Sequence, residues 1–584
     1  MKLFSITALV IVLAVGAAAA EQPGPYDWKL DYSFRVANPS RQTVEVTADY
    51  EFPAKTGEVT FSMDDADNHY TKGYRQHVRA FVLYDSEGNQ VEVTKDTAGV
   101  YRSLNLKGKY QARYFVVMDH FKQQSELGID DTPLLWGSAA IFPGAALVIY
   151  PSDEAGSRIG SITVSFEGTE QLSFVTPYTQ IAPDSYKVPD VHMLKSEFWA
   201  VGYFDTFVYE LGGDSIVCAV SKDGLGFTLD DIEPKIRAIL DYYAGIFGKL
   251  PAHKITMSVY YTPSSGKASG LHSFGTVGKR SFNCLIDEKV TSENLGSQMG
   301  LVAYNFLSFW TPGYFRPQST AELDWFTTGV MNYMQLKTML RLGFIEDLEF
   351  LGKIGRTYTM YREQLQRKKL SLSVLLTMPN SNDRSVYSFM MVSMYDLLLV
   401  KNTNGERSLD DVLMSLSHSY GDTRGYSGEE LYSLLKDLGI ANIEELNGMH
   451  FDKADPIELN ELVQPFGYDV SYLPSGEIDI GMRLGGEGDL TVEWIAPGGP
   501  AQNAGIEFGD VLTEVRGFKL SEASDLPKLL SRMQPGTSVN VAYVRDGERK
   551  KTKVKLGNRM VYQIGLVNSS PGSSNELWEI YKSM

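Results

Sequence analysis

The chain changes its hydrophobic period twice. From residue 26 to 222 the pattern alternates, as in Val44-Glu45-Val46-Thr47-Ala48-Asp49-Tyr50-Glu51-Phe52. Alternation of this kind marks half-buried strands. Ala146-Leu147-Val148-Ile149-Tyr150 and Ser161-Ile162-Thr163-Val164-Ser165-Phe166 read as further strands, with Gly, Asp, Asn and Pro between the runs. A β-sandwich is the simplest architecture for such a segment. The period then becomes helical. Leu229 to Phe247 carries Ile232, Ile236, Ile239, Leu240 and Tyr243 at helical spacing, and Met299–Trp310, 322–341 and Ser388–Val400 follow. Ser408-Leu409-Asp410-Asp411 opens another helix, with a serine cap and acidic groups in the first turn. Residues 225–455 are therefore mainly helical, with strands such as Lys254 to Tyr261.

Near residue 470 the pattern changes again. Glu477–Leu484, Leu490–Ile495, Val511–Arg516, Val539–Arg545 and Lys551–Leu556 read as strands around one helix, Glu522–Met533. A C-terminal tail, 558–584, follows, in which a Ser/Gly/Pro stretch, Ser569 to Ser574, links to a last amphipathic piece around Leu577-Trp578. The expected fold class is multidomain α+β: a β-sandwich (26–222), a helical domain (225–455) and a β-barrel-like module (470–557).

Composition adds three points. The 33 Tyr and 28 Phe argue against long disorder, because aromatic burial offsets chain entropy. The net charge of −18, spread along the chain, repels a duplex or an anionic membrane, which excludes nucleic acid as the expected partner. Residues 1–20, MKLFSITALVIVLAVGAAAA, read as a signal peptide with Lys2 at its head and Ala18-Ala19-Ala20 at its cleavage site. The expected location is therefore periplasmic or extracellular, with no membrane span in the mature chain. Cys218 and Cys284 are the two cysteines, and a disulfide or two buried thiols are equally open.

Two resemblances follow from motifs. Pro500-Ala501, Ala504-Gly505-Ile506, Gly509-Asp510-Val511-Leu512 and Val515-Arg516-Gly517 stand in the order of bacterial PDZ domains. The module resembles one. That implies binding of peptides or protein C-termini by strand addition, with backbone N–H groups of Ile480, Gly481 and Met482 holding the carboxylate.

The middle of the chain resembles the glycyl aminopeptidase family, a thermolysin-like group of zinc peptidases with a PDZ domain. Members carry His-Glu-x-x-His followed by an apolar residue and Trp. Aligned on Trp310, the histidines fall on Tyr304 and Ser308 and the glutamate on Asn305. The family's Trp-x-x-Glu-Gly reads Trp325-Phe326-Thr327-Thr328-Gly329 here, which places Thr328 at the third ligand. Its Gly-Gly-Leu-Glu-His resembles Ser269-Gly270-Leu271-His272-Ser273, so that His272 becomes a cleft residue.

The family chemistry needs two imidazoles at i and i+4, a carboxylate ligand and a glutamate base. A phenol, an amide and two hydroxyls supply none of these. No two of the eight histidines lie three or four apart. Ser264-Ser265-Gly266-Lys267 matches Ser-x-x-Lys but reads as a loop. The expectation is a pseudopeptidase without zinc or other cofactor and without catalytic residues. The rival readings are an aminopeptidase with non-standard ligands and a purely structural envelope protein.

Overall fold

The computed structural model describes residues 27–38, 43–63, 74–118, 134–136, 139–154, 156–167, 172–222, 224–262, 271–274, 280–287, 289–378, 383–485, 490–531, 533–566 and 575–584. The signal-peptide reading at 1–20 and the Ser-x-x-Lys loop lie outside them. The protein is α+β and multidomain, and it divides into two compact units, 1–229 with 252–289, and 230–251 with 290–584.

In the first unit, alternation builds a large sheet. Strands β1 (Trp28–Asn38), β2 (Thr43–Phe52), β3 (Val78–Asp85), β4 (Gly108–Val117), β5 (Ile159–Glu167) and β6 (Ser185–Val188) lie in the order β6-β5-β1-β2-β4-β3, with one short strand beyond each end. Val44, Val46, Ala48, Tyr50 and Phe52 of β2 face a core shared with Trp199, Phe61 and Leu147. Two four-stranded sheets complete this part.

The expected strand at Ala146–Tyr150 does not form. Gly144–Ala146 is a single 3-10 turn, and residues 147–149 are irregular and buried. Their backbone groups are satisfied by side chains instead of a strand partner. The Ile149 carbonyl accepts the hydroxyls of Tyr32 (3.0 Å) and Tyr50 (2.8 Å). The Tyr114 hydroxyl donates to Leu147 O (2.9 Å) and accepts from Ile149 N (3.0 Å).

The expected boundary at 222/225 also moves. A five-stranded sheet, β7 (Phe204–Leu211), β8 (Asp214–Ser221), β9 (Lys254–Thr262), β10 (Leu271–Phe274) and β11 (Ser281–Asp287), runs across it in the order β7-β8-β9-β11-β10. Parallel pairing of β8 with β9 and of β9 with β11 joins residues that the local pattern had assigned to two domains. Cys218 lies on β8 and Cys284 on β11; no disulfide joins them, and both are buried.

The second unit contains α1 (Leu229–Phe247, from its second residue), α2 (Gly300–Ser308), α3 (Thr320–Arg341), α4 (Asp347–Lys368), α5 (Asp383–Asn402) and α6 (Leu409–Tyr420). Ser408 and Asp411 form a capping box at the start of α6. No described helix is long and apolar enough to cross a membrane.

The C-terminal module begins with β12 (Tyr468–Asp479) and continues with β13 (Met482–Leu484), β14 (Val492–Ile495), β15 (Val511–Val515), β16 (Phe518–Lys519), α7 (Asp525–Leu530), β17 (Ser538–Arg545) and β18 (Glu548–Lys555). Glu477–Leu484 is thus two strands, broken at Gly481, whose φ is +72°. The helix expected at Glu522–Met533 is shorter, and ahead of it the Asp525 carboxylate accepts from the N–H groups of Ser521 and Glu522, holding that segment as a turn. Within the tail read at 558–584, the described residues up to 566 and from 575 form regular elements. β19 (Gly557–Leu566) pairs with β12, and α8 (Glu576–Ser583) buries Trp578 and Tyr581.

Candidate functional site

The zinc-helix positions lie on α2 and α3, which pack together. Apolar Val302, Ala303, Phe306 and Leu307 anchor α2 in the core. Trp310 is fully buried just past its end; its Nε1 donates to Lys249 O at 3.0 Å and its ring stacks on Phe247. On α3, Gly329 is required by packing: a Cβ there would meet the Ser388 carbonyl of α5 at 2.4 Å. The framework residues of both motifs therefore have a structural reason independent of chemistry.

The four altered positions are polar and uncharged. Tyr304 is half-buried; burial, and then the carboxylate of Asp324, raise its phenol pKa. Asp324 lies one turn before Thr328 on α3, so α3 presents that face toward Tyr304. Asn305 is buried, and its Nδ2 has no hydrogen-bond partner. Ser308 Oγ donates to the Asn305 carbonyl at 2.6 Å, turning back on its own helix. The Thr328 carbonyl accepts from Asn332 Nδ2 at 2.8 Å. His272 lies on β10 in the first unit, opposite Leu285 of β11.

Farther along α3 the structure adds a cluster that the motifs did not show. Lys337, with no exposed surface, reaches Asp396 Oδ1 at 3.0 Å and Asp410 Oδ1 at 2.8 Å. Asp396 also accepts from Leu409 N (2.6 Å), Tyr333 OH (2.9 Å) and Tyr581 OH (3.2 Å). Burial pushes the Asp410 pKa up, but Lys337 and Arg341 outweigh it and leave the carboxyl below its usual range. Burial, and then Asp396, hold the Tyr333 and Tyr581 phenols well above theirs. The available signal was a lysine inside the apolar run Leu336-Lys337-Thr338-Met339-Leu340.

In the C-terminal module Ile480 and Gly481 connect β12 to β13, and both are buried together with Met482, the first residue of β13. Gly481 is the residue that fits, since a Cβ would meet Pro500 at 2.7 Å. Its N–H donates to Asp479 Oδ1 at 2.9 Å, and Asp479 is also held by Arg483 at 3.2 Å. Among the described residues β13 is paired along one edge, to β14. Leu526 and Leu530 of α7 share its core. Asp510 accepts from Glu507 N and from two nitrogens of Arg545, each at 2.7 Å. Asp510 belongs to the motif read from the sequence; its partner Arg545 does not.

Residues 476–556 match the PDZ domain family, and residues 31–196 match the Peptidase M61 N-terminal domain. A solved aminopeptidase N family protein from Idiomarina loihiensis superposes with a TM-score of 0.69 over 95% of this chain and 99% of that one, at 14% identity. The chain is M61-like over its N-terminal domain and carries a PDZ domain.

The M61-like chain also matches parts of two kinds of protease. It is 41% identical over 59 residues (10% of this chain) to a probable periplasmic serine endoprotease DegP-like of Ectopseudomonas mendocina. It is 35% identical over 88 residues (15% of this chain) to the serine protease Do-like HtrA of Lactococcus lactis. It spans 12% and 21% of their respective lengths. Zinc, which the architecture implies, does not fit the residues present. Tyr304, Ser308 and Thr328 are neutral oxygen donors, and Asn305 has no basic lone pair. Among the described residues no three His, Cys, Asp or Glu side chains are grouped to hold a metal ion.

Proposed function

We propose that this M61-like chain is an exported, non-hydrolytic relative of the glycyl aminopeptidases that acts by binding peptides or protein C-termini through its PDZ domain. One observation carries the reading: the side chains at the two imidazole, third-ligand and base positions are a phenol, two hydroxyls and an amide, on a framework otherwise kept by Trp310, Trp325 and Gly329. Loss of one ligand leaves room for compensation, but loss of three ligands and the base removes both the metal and the proton acceptor. The protein therefore works without zinc. Peptide binding is supported by the PDZ match and by the unpaired edge of β13 among the described residues. Export is supported by the apolar N-terminal segment and by the periplasmic relatives of the PDZ region.

The test is metal analysis of purified protein beside a glycyl aminopeptidase assay. The expected result is zinc far below one per chain and no turnover above blank. Turnover that chelators abolish and zinc restores would overturn the reading. A peptide array with free and amidated C-termini tests the PDZ half, where binding indifferent to amidation counts against it.

A further inference from the structure

The charge of −18 is an average, and the PDZ sheet departs from it. β18 is the edge strand of the order β16-β15-β17-β18. Its alternate residues Arg549, Lys551, Lys553 and Lys555 are exposed, whereas Val554 between the last two is buried. Four such residues span about 20 Å along the strand. The pairing carries the basic character across the sheet. Lys551 lies opposite Ala542, Ala542 opposite Glu514, and Glu514 opposite Lys519 of the far edge strand β16. Paired residues share a face, so both edges present lysine on the same side. Arg516, exposed at the end of β15, and Lys551 and Lys553 also line a groove of about 730 Å³ whose floor includes Ser538, Asn540 and Ala542.

Glu514 is the one carboxylate lining this groove, and Arg549 neutralises it at 2.8 Å. Arg516, Lys519, Lys551, Lys553 and Lys555 have no ion-pair partner among the described residues.

We propose that this face of the PDZ sheet docks on an anionic phospholipid surface. Charge complementarity gives the sign, and residue type selects the occupant. Protein interfaces are depleted in lysine and depend on aromatic or arginine anchors in fitted pockets. Here the cations are mostly lysines, with Arg516 the one arginine lining the groove, over a floor of serine, asparagine and alanine and with no aromatic side chain in the lining. Compact ammonium charges on flexible stems suit a field of mobile phosphates, each contributing without a fixed geometry. The acidity elsewhere does not cancel the attraction, because at physiological salt charges are screened beyond about 8 Å. Lysine on an edge strand also discourages sheet-to-sheet pairing. That role explains Lys551 and Lys553 at one edge, but not the unpaired Arg516 that shares their groove.

The experiment is sedimentation of the full chain with vesicles of one part phosphatidylglycerol to two parts phosphatidylcholine, against pure phosphatidylcholine. Binding is expected to the anionic vesicles alone, and to weaken strongly as salt shortens the screening length from about 10 Å to about 3 Å. Lys551→Glu with Lys553→Glu should weaken it at least about tenfold while leaving the melting temperature unchanged. Lys551→Gln with Lys553→Gln, which keeps the surface polar, should give a smaller loss in the same direction. Equal binding to both vesicle types, or full binding by the folded variants, would overturn the proposal. So would capture by soluble polyglutamate without vesicle binding, which would assign the face to an acidic protein.

Discussion

Helix α3 carries two buried polar regions built on opposite principles, about two and a half turns apart. Around Lys337 opposite charges meet directly: the buried Asp396 takes Lys337, two phenols and a backbone N–H, and the partly exposed Asp410 shares Lys337. Around Thr328, among the described residues, there is no comparable charge cluster, and satisfaction is incomplete. Asn305 Nδ2 and Trp325 Nε1 have no partner. On the proposed non-hydrolytic reading, the difference gives a physical reason for all four positions to lack the family's charged and imidazole side chains together. A glutamate or imidazolium left at one of them without its ion would be a buried unpaired charge, which costs several kcal/mol. An orphaned amide or indole N–H costs about 1–3 kcal/mol, which a folded domain tolerates. The charged cluster survives because its partners come from α3, α5, α6 and α8 at once.

The comparison is broken most directly at Lys337. Lys337→Met should destabilise by about 3–5 kcal/mol in urea unfolding, since two carboxylates lose their cation. A loss below that of an ordinary surface change would mean the pair is not sustaining the core. The pH dependence sharpens the same point. The Asp410 pKa is lowered on folding, so its contribution is complete above the unfolded value of about 3.9 and disappears as pH falls through the lower folded value. The Tyr333 and Tyr581 pKa values are raised, so their contribution is complete below about 10 and is lost as pH rises above that. Unfolding midpoints measured across pH should be flat near neutrality and fall at both ends, and Lys337→Met should flatten the acid limb. Tyr581→Phe removes one donor from Asp396 and should cost about 1.5–3 kcal/mol, read by the same titration. Asn305→Leu should go the other way, raising stability by about 1 kcal/mol, because it removes an unsatisfied donor from a buried site. A clear loss on Asn305→Leu would show that the amide has a partner after all.

The zinc arm of the comparison is tested by restoring charge. Tyr304→His, Asn305→Glu, Ser308→His and Thr328→Glu together should lower the melting temperature without metal and raise it with zinc. The unaltered protein should melt alike with zinc or chelator.

Much of this was legible locally. Strand alternation in β2, the span of α1, the Ser408 cap and the Gly509-Asp510 signature each depend on residues close in sequence, whose side-chain direction follows from the period of the backbone. The alignment of Tyr304, Asn305, Ser308 and Thr328 rests on the same short-range information, helix spacing and the flanking tryptophans. Residues 146–150 were misread because a buried apolar run looks like a strand whether a neighbouring strand or three tyrosine hydroxyls satisfy its backbone. The tail was misread because its anchors, Trp578 and Tyr581, find their partners more than a hundred residues upstream.

By itself, then, the order of residues determined the periods, the caps, the PDZ signature and the residue types at the four motif positions, all of which are properties of residue type at short spacing. Only the tertiary structure decided where the five-stranded sheet crosses the apparent domain boundary, which buried charges meet, that Asp479 occupies the Gly481 N–H, and that the PDZ lysines share one face with Arg516. Each of those depends on pairing between segments distant in the chain, and short-range pattern carries no information about which distant groups will neutralise or satisfy one another.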